Sequence, residues 1–106
     1  MQKQFFTVTE ASTKFKVAYS EVLYVFKEGH YCEIITEYGT YNIRSSIEEL
    51  IEDAPENTLV KCHRSYAVNP SLMTGINKER AIINQHSIPV SRPYRKKLNT
   101  IFLSAA

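Results

Sequence analysis

The sequence VLYVFKEGHYCEIITEYGTYNIR, which spans residues 22–44, decides the fold class of this chain. Its first five residues form a continuous apolar run, as is typical of a strand that is buried on both faces. Two more β-type runs follow at 31–36 and 40–44, and turn signals that contain Gly29 and Gly39 separate the three runs. This spacing predicts three successive strands of a β-meander.

Strand-like runs continue on both sides of the meander. They lie at residues 5–8, 14–18, 58–62, 66–68, 72–76, 80–83 and 87–90. Asn84 lies between the last two runs and tolerates the positive φ that a tight hairpin loop needs. Pro89 has no backbone N–H to donate, which indicates an edge strand. Because no linker or internal repeat interrupts the pattern, we expect residues 1–106 to form a single, mostly β domain.

Two segments have the periodicity of a helix instead of a strand. In residues 47–54, apolar side chains recur at the i, i+3, i+4 and i+7 positions, and Pro55 then ends the pattern. Ser46 and Glu49 have the spacing of a capping box, in which each side chain accepts a hydrogen bond from the other residue's backbone N–H. A second helix is predicted after Ser91, with a proline in its first turn. The first helix is acidic on its outer face, so we expect it to cover a sheet.

The composition excludes several classes of protein. Apolar residues make up 43% of the chain and charged residues 23%, values that are ordinary for a globular domain and unlike those of a disordered tail. No apolar run approaches the roughly 18–20 residues that span a bilayer, and the start of the chain lacks the apolar core of a signal peptide. Cys32 and Cys62 alone do not make a disulfide scaffold. We therefore expect a cytoplasmic protein with reduced thiols and no membrane partner.

The formal net charge of +2 conceals an asymmetry along the chain. Residues 1–60 carry five Lys or Arg against ten Asp or Glu, a net charge of −5. Residues 61–106 carry eight Lys or Arg against Glu79 alone, a net charge of +7. Such asymmetry favours a polyanionic partner for one part of the surface. The alternative is that the fold intermixes the two halves and their charges.

Polar residues that suit nucleic-acid recognition lie at two predicted loops. His63, Arg64 and Ser65 interrupt two strand signals, so we expect a tight corner that projects their hydrogen-bond donors together. Arg is able to bond the O6 and N7 atoms of guanine as a fork, and Asn84 is able to bond adenine in the same bidentate manner. On local sequence alone, a structural role explains the corner equally well, and a turn conformation explains Asn84 better.

The third candidate is a basic segment that opens the second helix. Ser91 and the first amides of that helix form an N-terminus that is able to hold a phosphate. The four cations of this segment are Arg92, Arg95, Lys96 and Lys97. A run of charge is commonly a solvated helix face, and that alternative stays open here.

Catalytic and metal-binding patterns are absent from the sequence. Cys62 and His63 are adjacent, so in a strand they point to opposite sides, which is poor spacing for two ligands of one metal ion. The chain contains no CxxC or HxxxH pair and no glycine-rich phosphate loop. We therefore expect no enzymatic activity, no metal and no cofactor.

Four segments, in their order and spacing, resemble the LytTR-type DNA-binding domain of bacterial response regulators. They are Val22-Leu23-Tyr24-Val25 followed by Gly29-His30-Tyr31, Arg44-Ser45-Ser46-Ile47-Glu48-Glu49-Leu50, Cys62-His63-Arg64-Ser65-Tyr66-Ala67-Val68-Asn69, and Ile88-Pro89-Val90-Ser91-Arg92-Pro93-Tyr94. The last segment matches the closing IPVSR-x-Y pattern of the family. The resemblance runs from about Thr13 to Phe102.

The resemblance implies an elongated β fold of several sheets with one or two short helices, which reaches DNA with loops and not with a recognition helix. The implied function is sequence-specific binding of double-stranded DNA for transcription regulation, as the output domain of a two-component phosphorelay. Family binding sites are often direct repeats, which implies two copies on the DNA. The family usually joins this domain to a receiver domain, and nothing in these 106 residues resembles one.

The resemblance also implies base contacts in the major groove from the three segments described above. His63 and Asn84 match the family's pattern, whereas Pro93 stands where relatives often have a second basic residue. Pro93 has no N–H to donate, so we expect Arg92 or Arg95 to replace that contact. The candidate DNA contacts are His63, Arg64, Ser65, Asn84, Ser91, Arg92, Arg95, Lys96 and Lys97.

Two other classes of function stay open. The seven Tyr and five Phe residues are able to stack with bases, as in a β-rich RNA-binding module. Most of them lie in apolar strand runs, which favours a place in the core. A protein-interaction module that uses the acidic helix or an exposed strand edge is the second alternative, and it predicts no salt-sensitive binding of DNA.

Overall fold

Ten strands and two helices make up residues 3–104, the part of the chain that a computed structural model describes. The strands are β1 (Phe5–Glu10), β2 (Thr13–Ala18), β3 (Val22–Glu28), β4 (Tyr31–Thr36), β5 (Gly39–Arg44), β6 (Val60–His63), β7 (Tyr66–Val68), β8 (Met73–Ile76), β9 (Arg80–Ile83) and β10 (His86–Pro89). The helices are α1 (Ile47–Asp53) and α2 (Arg92–Ser104), and 3₁₀ turns lie at Tyr19–Glu21 and Pro70–Leu72. The molecule is elongated, with principal extents of 42 × 29 × 28 Å. Neither helix within residues 3–104 has both the length and the apolar character that a bilayer crossing requires.

The predicted meander is the larger part of a five-stranded antiparallel sheet with the order β5-β4-β3-β7-β6. The central strand, β3, is buried on both faces as its apolar run predicts, because Val22, Leu23 and Val25 are each at most 2% exposed. A register irregularity lies between Val22 and Tyr24, and Leu23 and Tyr24 consequently pack into the same apolar cluster. This local bend brings the Tyr24 ring to the side of the sheet where the candidate site lies.

Two layers cover the two faces of this sheet. On one face, the β1–β2 hairpin and α1 contribute Phe6, Val17 and Leu50 to a first apolar cluster. On the other face, a three-stranded sheet with the order β10-β9-β8 and helix α2 contribute Ile83 and Leu98 to a second cluster. Full burial of one such side chain stabilises the fold by roughly 1.5–3 kcal/mol. The mostly β, multi-sheet architecture expected from the sequence is therefore confirmed.

Helix α1 begins where the sequence predicts and ends within one residue of the predicted position. The Ser46 Oγ atom accepts a hydrogen bond from the Glu49 N–H at 3.0 Å, and the Glu49 carboxylate accepts one from the Ser46 N–H at 3.3 Å. The capping box is therefore confirmed. Ile47 and Leu50 are buried, and α1 packs against β3 and β6. The helix covers the sheet, as its acidic outer face led us to expect.

The three-stranded sheet also follows the sequence closely. β10 is an edge strand of this sheet, as the missing N–H of Pro89 predicts. Asn84 and Gln85 connect β9 to β10, and Asn84 has a positive φ of 52°. The hairpin therefore exposes the Asn84 side chain at its tip.

Asn69 has a larger structural role than its sequence signal indicates. The pair Asn69-Pro70 is typical of an exposed turn, whereas the structure buries Asn69 to 2% exposure. Its Nδ2 atom donates to the Val22 carbonyl oxygen at 2.9 Å, and its backbone N–H donates to the Leu23 carbonyl oxygen at 3.0 Å. These bonds fasten the end of β7 to the start of β3, so that β7 holds a fixed position against the central strand.

Candidate nucleic-acid interface

The end of β6 and the β6–β7 loop, together called the His63 loop, present His63, Arg64 and Ser65 at the tight corner that the sequence predicts. The Ser65 N–H donates to the His63 Nδ1 atom at 3.1 Å, and the Ser65 carbonyl oxygen accepts from the Lys27 N–H at 2.8 Å. In the neutral imidazole this contact leaves the ring proton on Nε2, where it is able to meet an acceptor. Arg64 is exposed, and among residues 3–104 no carboxylate lies within 4 Å of its guanidinium. The loop therefore has a fixed backbone and accessible donors.

Five aromatic rings connect this loop to the β9–β10 hairpin, and we call them the aromatic row: Phe26, His63, Tyr66, Tyr24 and His86. Ring centroids lie 5.6 Å apart for His63 and Tyr66, 6.3 Å for Tyr66 and Tyr24, and 5.1 Å for Tyr24 and His86. Phe26 flanks Tyr66 at 4.9 Å, and the Tyr24 hydroxyl lies 3.5 Å from His86 Nδ1. Each aromatic pair contributes roughly 0.5–1.5 kcal/mol beyond its buried area. The aromatic row therefore fixes the loop and the hairpin relative to each other.

The members of the aromatic row other than His63 were not among the sequence candidates. Tyr24 and Phe26 lie in an apolar run that is typical of a buried strand, and His86 lies at the end of a loop signal. The pairing of β3 with β7 sets Phe26 opposite Tyr66 and thereby creates the row. A strand pairing over this separation has no local sequence signal, so sequence reasoning could not find it.

A further loop reaches the tip of the β9–β10 hairpin. The Asn84 Nδ2 atom donates to a Glu37 carboxylate oxygen at 3.4 Å, and Glu37 lies in the β4–β5 turn. The buried Thr36 Oγ1 atom accepts from the N–H groups of Tyr38 and Gly39, each at 3.1 Å, and so fixes this turn. The sequence did not indicate Glu37 as a site residue, but this contact places it beside the Asn84 amide that is predicted to contact a base.

The start of α2 is fastened to the end of β6, next to the His63 loop. The Ser91 N–H donates to the Cys62 carbonyl oxygen at 2.8 Å, and Cys62 directly precedes His63. The Ser91 carbonyl oxygen accepts from the Tyr94 N–H at 3.0 Å, which begins the helix. Pro93 is exposed at the second helical position and has no N–H to donate. The structure thus brings Ser91 and Arg92 close to the corner that holds His63 and Arg64.

An open cavity of about 460 Å³ lies between α2 and the β8–β9 turn, and we call it the basic groove. It is lined by Arg92, Arg95, Lys96 and Asn99 of α2 and by Ile76, Asn77 and Lys78 of β8 and the turn. The α2 residues are spaced i, i+3, i+4 and i+7, so they form one face of the helix. No carboxylate within residues 3–104 lines this cavity. The groove unites three candidate cations and adds Lys78, which sequence reasoning did not single out.

Lys97 lies on a different side of α2 from the basic groove. It lines a separate cleft that also contains Lys61, Tyr94 and the acidic residues Glu52 and Glu56. The Lys61 ammonium lies 5.8 Å from the centroid of the Tyr94 ring. The structure therefore does not bring Lys97 together with the other candidate cations.

Few of the basic residues are neutralised by neighbouring carboxylates. Within residues 3–104 the ion pairs are Lys3 with Asp53 and Lys61 with Glu48. The hydrogen bond from Lys61 lowers the pKa of Glu48, and the same bond raises the pKa of Lys61. Of the eight cations after residue 60, Lys61 is the one that takes part in these pairs. The charge of the second half of the chain is therefore largely unpaired.

Both cysteines are free, buried thiols. Burial raises the pKa of Cys62 to about 12 and also raises the pKa of Cys32. The Cys62 Sγ atom donates to the Pro89 carbonyl oxygen at 3.5 Å. A protonated, buried thiol is a poor nucleophile, so these residues fit a packing role. In the part of the chain that the structure describes, no three His, Cys, Asp or Glu side chains are grouped as metal ligands.

The chain is a mostly β domain of three antiparallel sheets whose later cations are largely unpaired within residues 3–104. The model of the LytTr DNA-binding domain family matches residues 12–103, and the chain belongs to this family. Among solved structures it is similar to the LytTr DNA-binding domain of a protein from Bacillus cereus described as a methyl-accepting/DNA response regulator. The two share 21% sequence identity over 93% of this chain and 96% of the other, with a TM-score of 0.81, which shows a common fold. Comparison with curated proteins gives no match.

Proposed function

We propose that this chain is a single domain, spanning residues 1–106, that binds double-stranded DNA sequence-specifically and regulates transcription. It acts in the cytoplasm as the output domain of a two-component response regulator, and it has no enzymatic activity. The observation that carries this proposal is the aromatic row, which joins the His63 loop to the Asn84 hairpin, together with the bond that fastens Ser91 to Cys62. These contacts hold three candidate segments in one rigid arrangement.

The loops supply the side chains that distinguish bases. Arg64 matches the O6 and N7 acceptors of guanine, and the Asn84 amide matches the N6 and N7 atoms of adenine. His63 donates from Nε2 to a base acceptor, and the Ser65 hydroxyl bonds a base edge or a phosphate. Lys27 bonds the His63 loop, and it lies five residues along β3 from Val22, which is paired with Thr36 beside the β4–β5 turn that contacts Asn84. Five residues of a strand span roughly 17 Å. The His63 loop and the Asn84 hairpin therefore read different base pairs.

The remaining candidates fix the position of the domain on the phosphate backbone. They are Ser91, Arg92, Arg95 and Lys96, whereas Lys97 lines a separate cleft that also contains Glu52 and Glu56. Arg92 or Arg95 also supplies the base contact that Pro93 is unable to make. Because each neutralised phosphate releases counterions, binding weakens steeply as the salt concentration rises.

Two copies of the domain occupy one binding site of direct repeats, as is frequent in this family. A receiver domain, which nothing in residues 1–106 resembles, supplies the phosphorylation signal. Neither partner contacts the base-reading loops in this proposal, so the isolated domain is sufficient to recognise one half of the site.

The four most exposed Phe and Tyr side chains do not form a stacking platform for single-stranded RNA. Phe5, Phe15, Tyr31 and Tyr38 are exposed, but within residues 3–104 no two of these four rings pack against each other. A module for single-stranded RNA stacks successive bases on neighbouring aromatic rings. These four rings do not provide such a platform.

Selection from a random duplex library tests the proposed function. We expect enrichment of one spaced repeat, and we expect the affinity of the domain for that repeat to fall steeply as the salt concentration rises. We also expect single-stranded RNA competitor not to displace this duplex. Salt-sensitive binding without enrichment would leave a basic surface and no sequence-specific regulator. Displacement of the duplex by single-stranded RNA would favour the RNA-binding alternative. No binding of DNA by the folded domain at low salt would favour a protein-interaction module.

A further inference from the structure

The basic groove is a feature that the base-reading loops do not use. It brings Lys78 from the β8–β9 turn to the same cavity as Arg92, Arg95 and Lys96 from α2. We propose that the basic groove binds a segment of the sugar-phosphate backbone of the duplex that the loops read, with Lys78 as one of its phosphate contacts. This inference rests on the proposed function, which already assigns Arg92, Arg95 and Lys96 to the phosphate backbone, and it adds Lys78 and the groove in which these cations meet.

The charge of the groove indicates an anionic ligand. Arg92 and Lys96 are four residues apart on α2, and like charges at this spacing destabilise a helix. Among residues 3–104 no carboxylate lines the groove or pairs with these cations. The repulsion is therefore not offset within the chain, and a bound polyanion offsets it.

Arg95 provides a hydrogen-bonding group inside the groove. Its Nε atom is buried and is the one such side-chain nitrogen or oxygen in the described part of the chain that has no hydrogen-bond partner. The guanidinium stays charged at all physiological pH values, and its planar fork matches two phosphate oxygens. The guanidinium of Arg95, which lines the groove, is the group that pairs with a phosphate there.

The walls of the groove hold fixed positions. The Asn77 Oδ1 atom accepts from the N–H groups of Glu79 and Arg80 at 2.9 and 2.8 Å, which fixes the turn that carries Lys78. The Val90 N–H donates to the Glu79 carbonyl oxygen at 2.8 Å and so fastens this turn to the segment before α2. The backbone that carries these cations is therefore fixed before a ligand binds.

The position of the groove selects the duplex as the source of the phosphates. The segment that forms one wall is bonded through Ser91 to Cys62, next to His63. A DNA strand that passes the His63 loop thus continues along the groove without a second binding event. The acidic outer face of α1 from a second copy is the competing occupant, and it has no such connection to the base-reading loop.

The test compares Lys78→Gln with Lys14→Gln, which removes the same charge from an exposed lysine of the β1–β2 hairpin. Binding is measured across a salt series for the selected duplex and for a shuffled duplex. We expect Lys78→Gln to weaken both complexes several-fold, to reduce the salt slope by about one unit, and to leave the base preference unchanged. We expect Lys14→Gln to match the wild type.

A scan of the duplex with neutral methylphosphonates identifies the phosphate itself. At the phosphate that Lys78 contacts, the neutral linkage should weaken binding of the wild type and should have no further effect on Lys78→Gln. At phosphates outside the groove, the linkage should weaken both proteins equally.

The remaining results each overturn the inference in a distinguishable way. If Lys78→Gln behaves as Lys14→Gln while Asn84→Ala still loses base preference, the groove is not a backbone site and the proposed function stands. If Lys78→Gln binds a single site normally but fails to add a second copy on a two-site duplex, the groove contacts protein instead of DNA. If the wild type binds neither duplex, the proposed function fails and the inference fails with it.

Discussion

Asn84 shows, at the scale of a residue, which parts of the site are local and which are not. Its place at a hairpin tip follows from its own chemistry, because Asn tolerates the φ of 52° found there. Its hydrogen bond to Glu37 spans 47 positions of sequence, and no local pattern indicates it. The sequence therefore predicts which side chain occupies the tip, but not which group orients its amide.

We predict that Glu37 sharpens the base preference of Asn84. Glu37→Ala removes the acceptor of the Asn84 amide, so discrimination at the base pair that Asn84 reads should fall by about 0.5–1.5 kcal/mol. Glu37→Gln keeps an oxygen acceptor and should preserve the preference. Competition binding against single-base variants of the selected duplex measures both effects. An equal loss at all positions, or a loss that persists in the Asn84→Ala background, would contradict this role.

Arg64 carries the clearest prediction for a direct base contact. Arg64→Ala should weaken binding to the selected duplex by about 1–3 kcal/mol and should relax the preference at one guanine. Arg64 is exposed and has no ion pair within the described residues, so the variant should fold normally. Fluorescence anisotropy titrations provide the measurement. An unchanged affinity would remove Arg64 from the site.

At the scale of elements, the sequence predicts well those helices and strands whose ends are marked by capping or turn residues close by in the chain. The boundaries of α1 follow from Ser46, Glu49 and Pro55, all within nine residues of its start, and β4 follows from turn signals on both sides. The β8–β9 turn is different, because its relation to α2 depends on how two separate elements pack. The packing of these two elements therefore makes Lys78 a candidate, whereas its local sequence does not.

The capping box of α1 gives a stability prediction. Ser46→Ala removes the acceptor of the Glu49 N–H, so the free energy of unfolding should fall by about 0.5–2 kcal/mol. Urea denaturation measures this change. DNA affinity should stay at the wild-type value, because α1 covers the face of the five-stranded sheet opposite α2. An unchanged unfolding midpoint would show that the cap does not stabilise the helix.

The β1–β2 hairpin gives a prediction of the opposite sign. Its two loop residues, Ala11 and Ser12, have φ values of 49° and 68°, which side chains other than Asn, Asp and Gly disfavour. Combining Ala11→Asn with Ser12→Gly supplies the preferred residues for this turn and should raise the free energy of unfolding by about 1 kcal/mol. Thermal denaturation followed by circular dichroism is the measurement. A lower melting temperature would refute the proposed source of strain.

At the scale of the whole molecule, the order of strands in the five-stranded sheet decides how the site is assembled. β3 pairs with both β4 and β7, so loops that are far apart in sequence become neighbours. The sequence shows the charge asymmetry, but it does not show whether acidic residues of the first half pair with basic residues of the second half in the folded protein. Because only Lys61 of the eight Lys and Arg residues after residue 60 takes part in an ion pair within residues 3–104, the positive charge of this half is available to an anionic partner.

The central claim is that the His63 loop, the Asn84 hairpin and the start of α2 form one DNA-binding surface. Amide chemical-shift mapping of the ¹⁵N-labelled protein during titration with the selected duplex tests this claim most directly. We predict that the largest changes fall in residues 63–66, 77–79, 84–86 and 91–96, with small changes in α1 and in the β1–β2 turn. Changes centred on α1 or on that turn would contradict the claim.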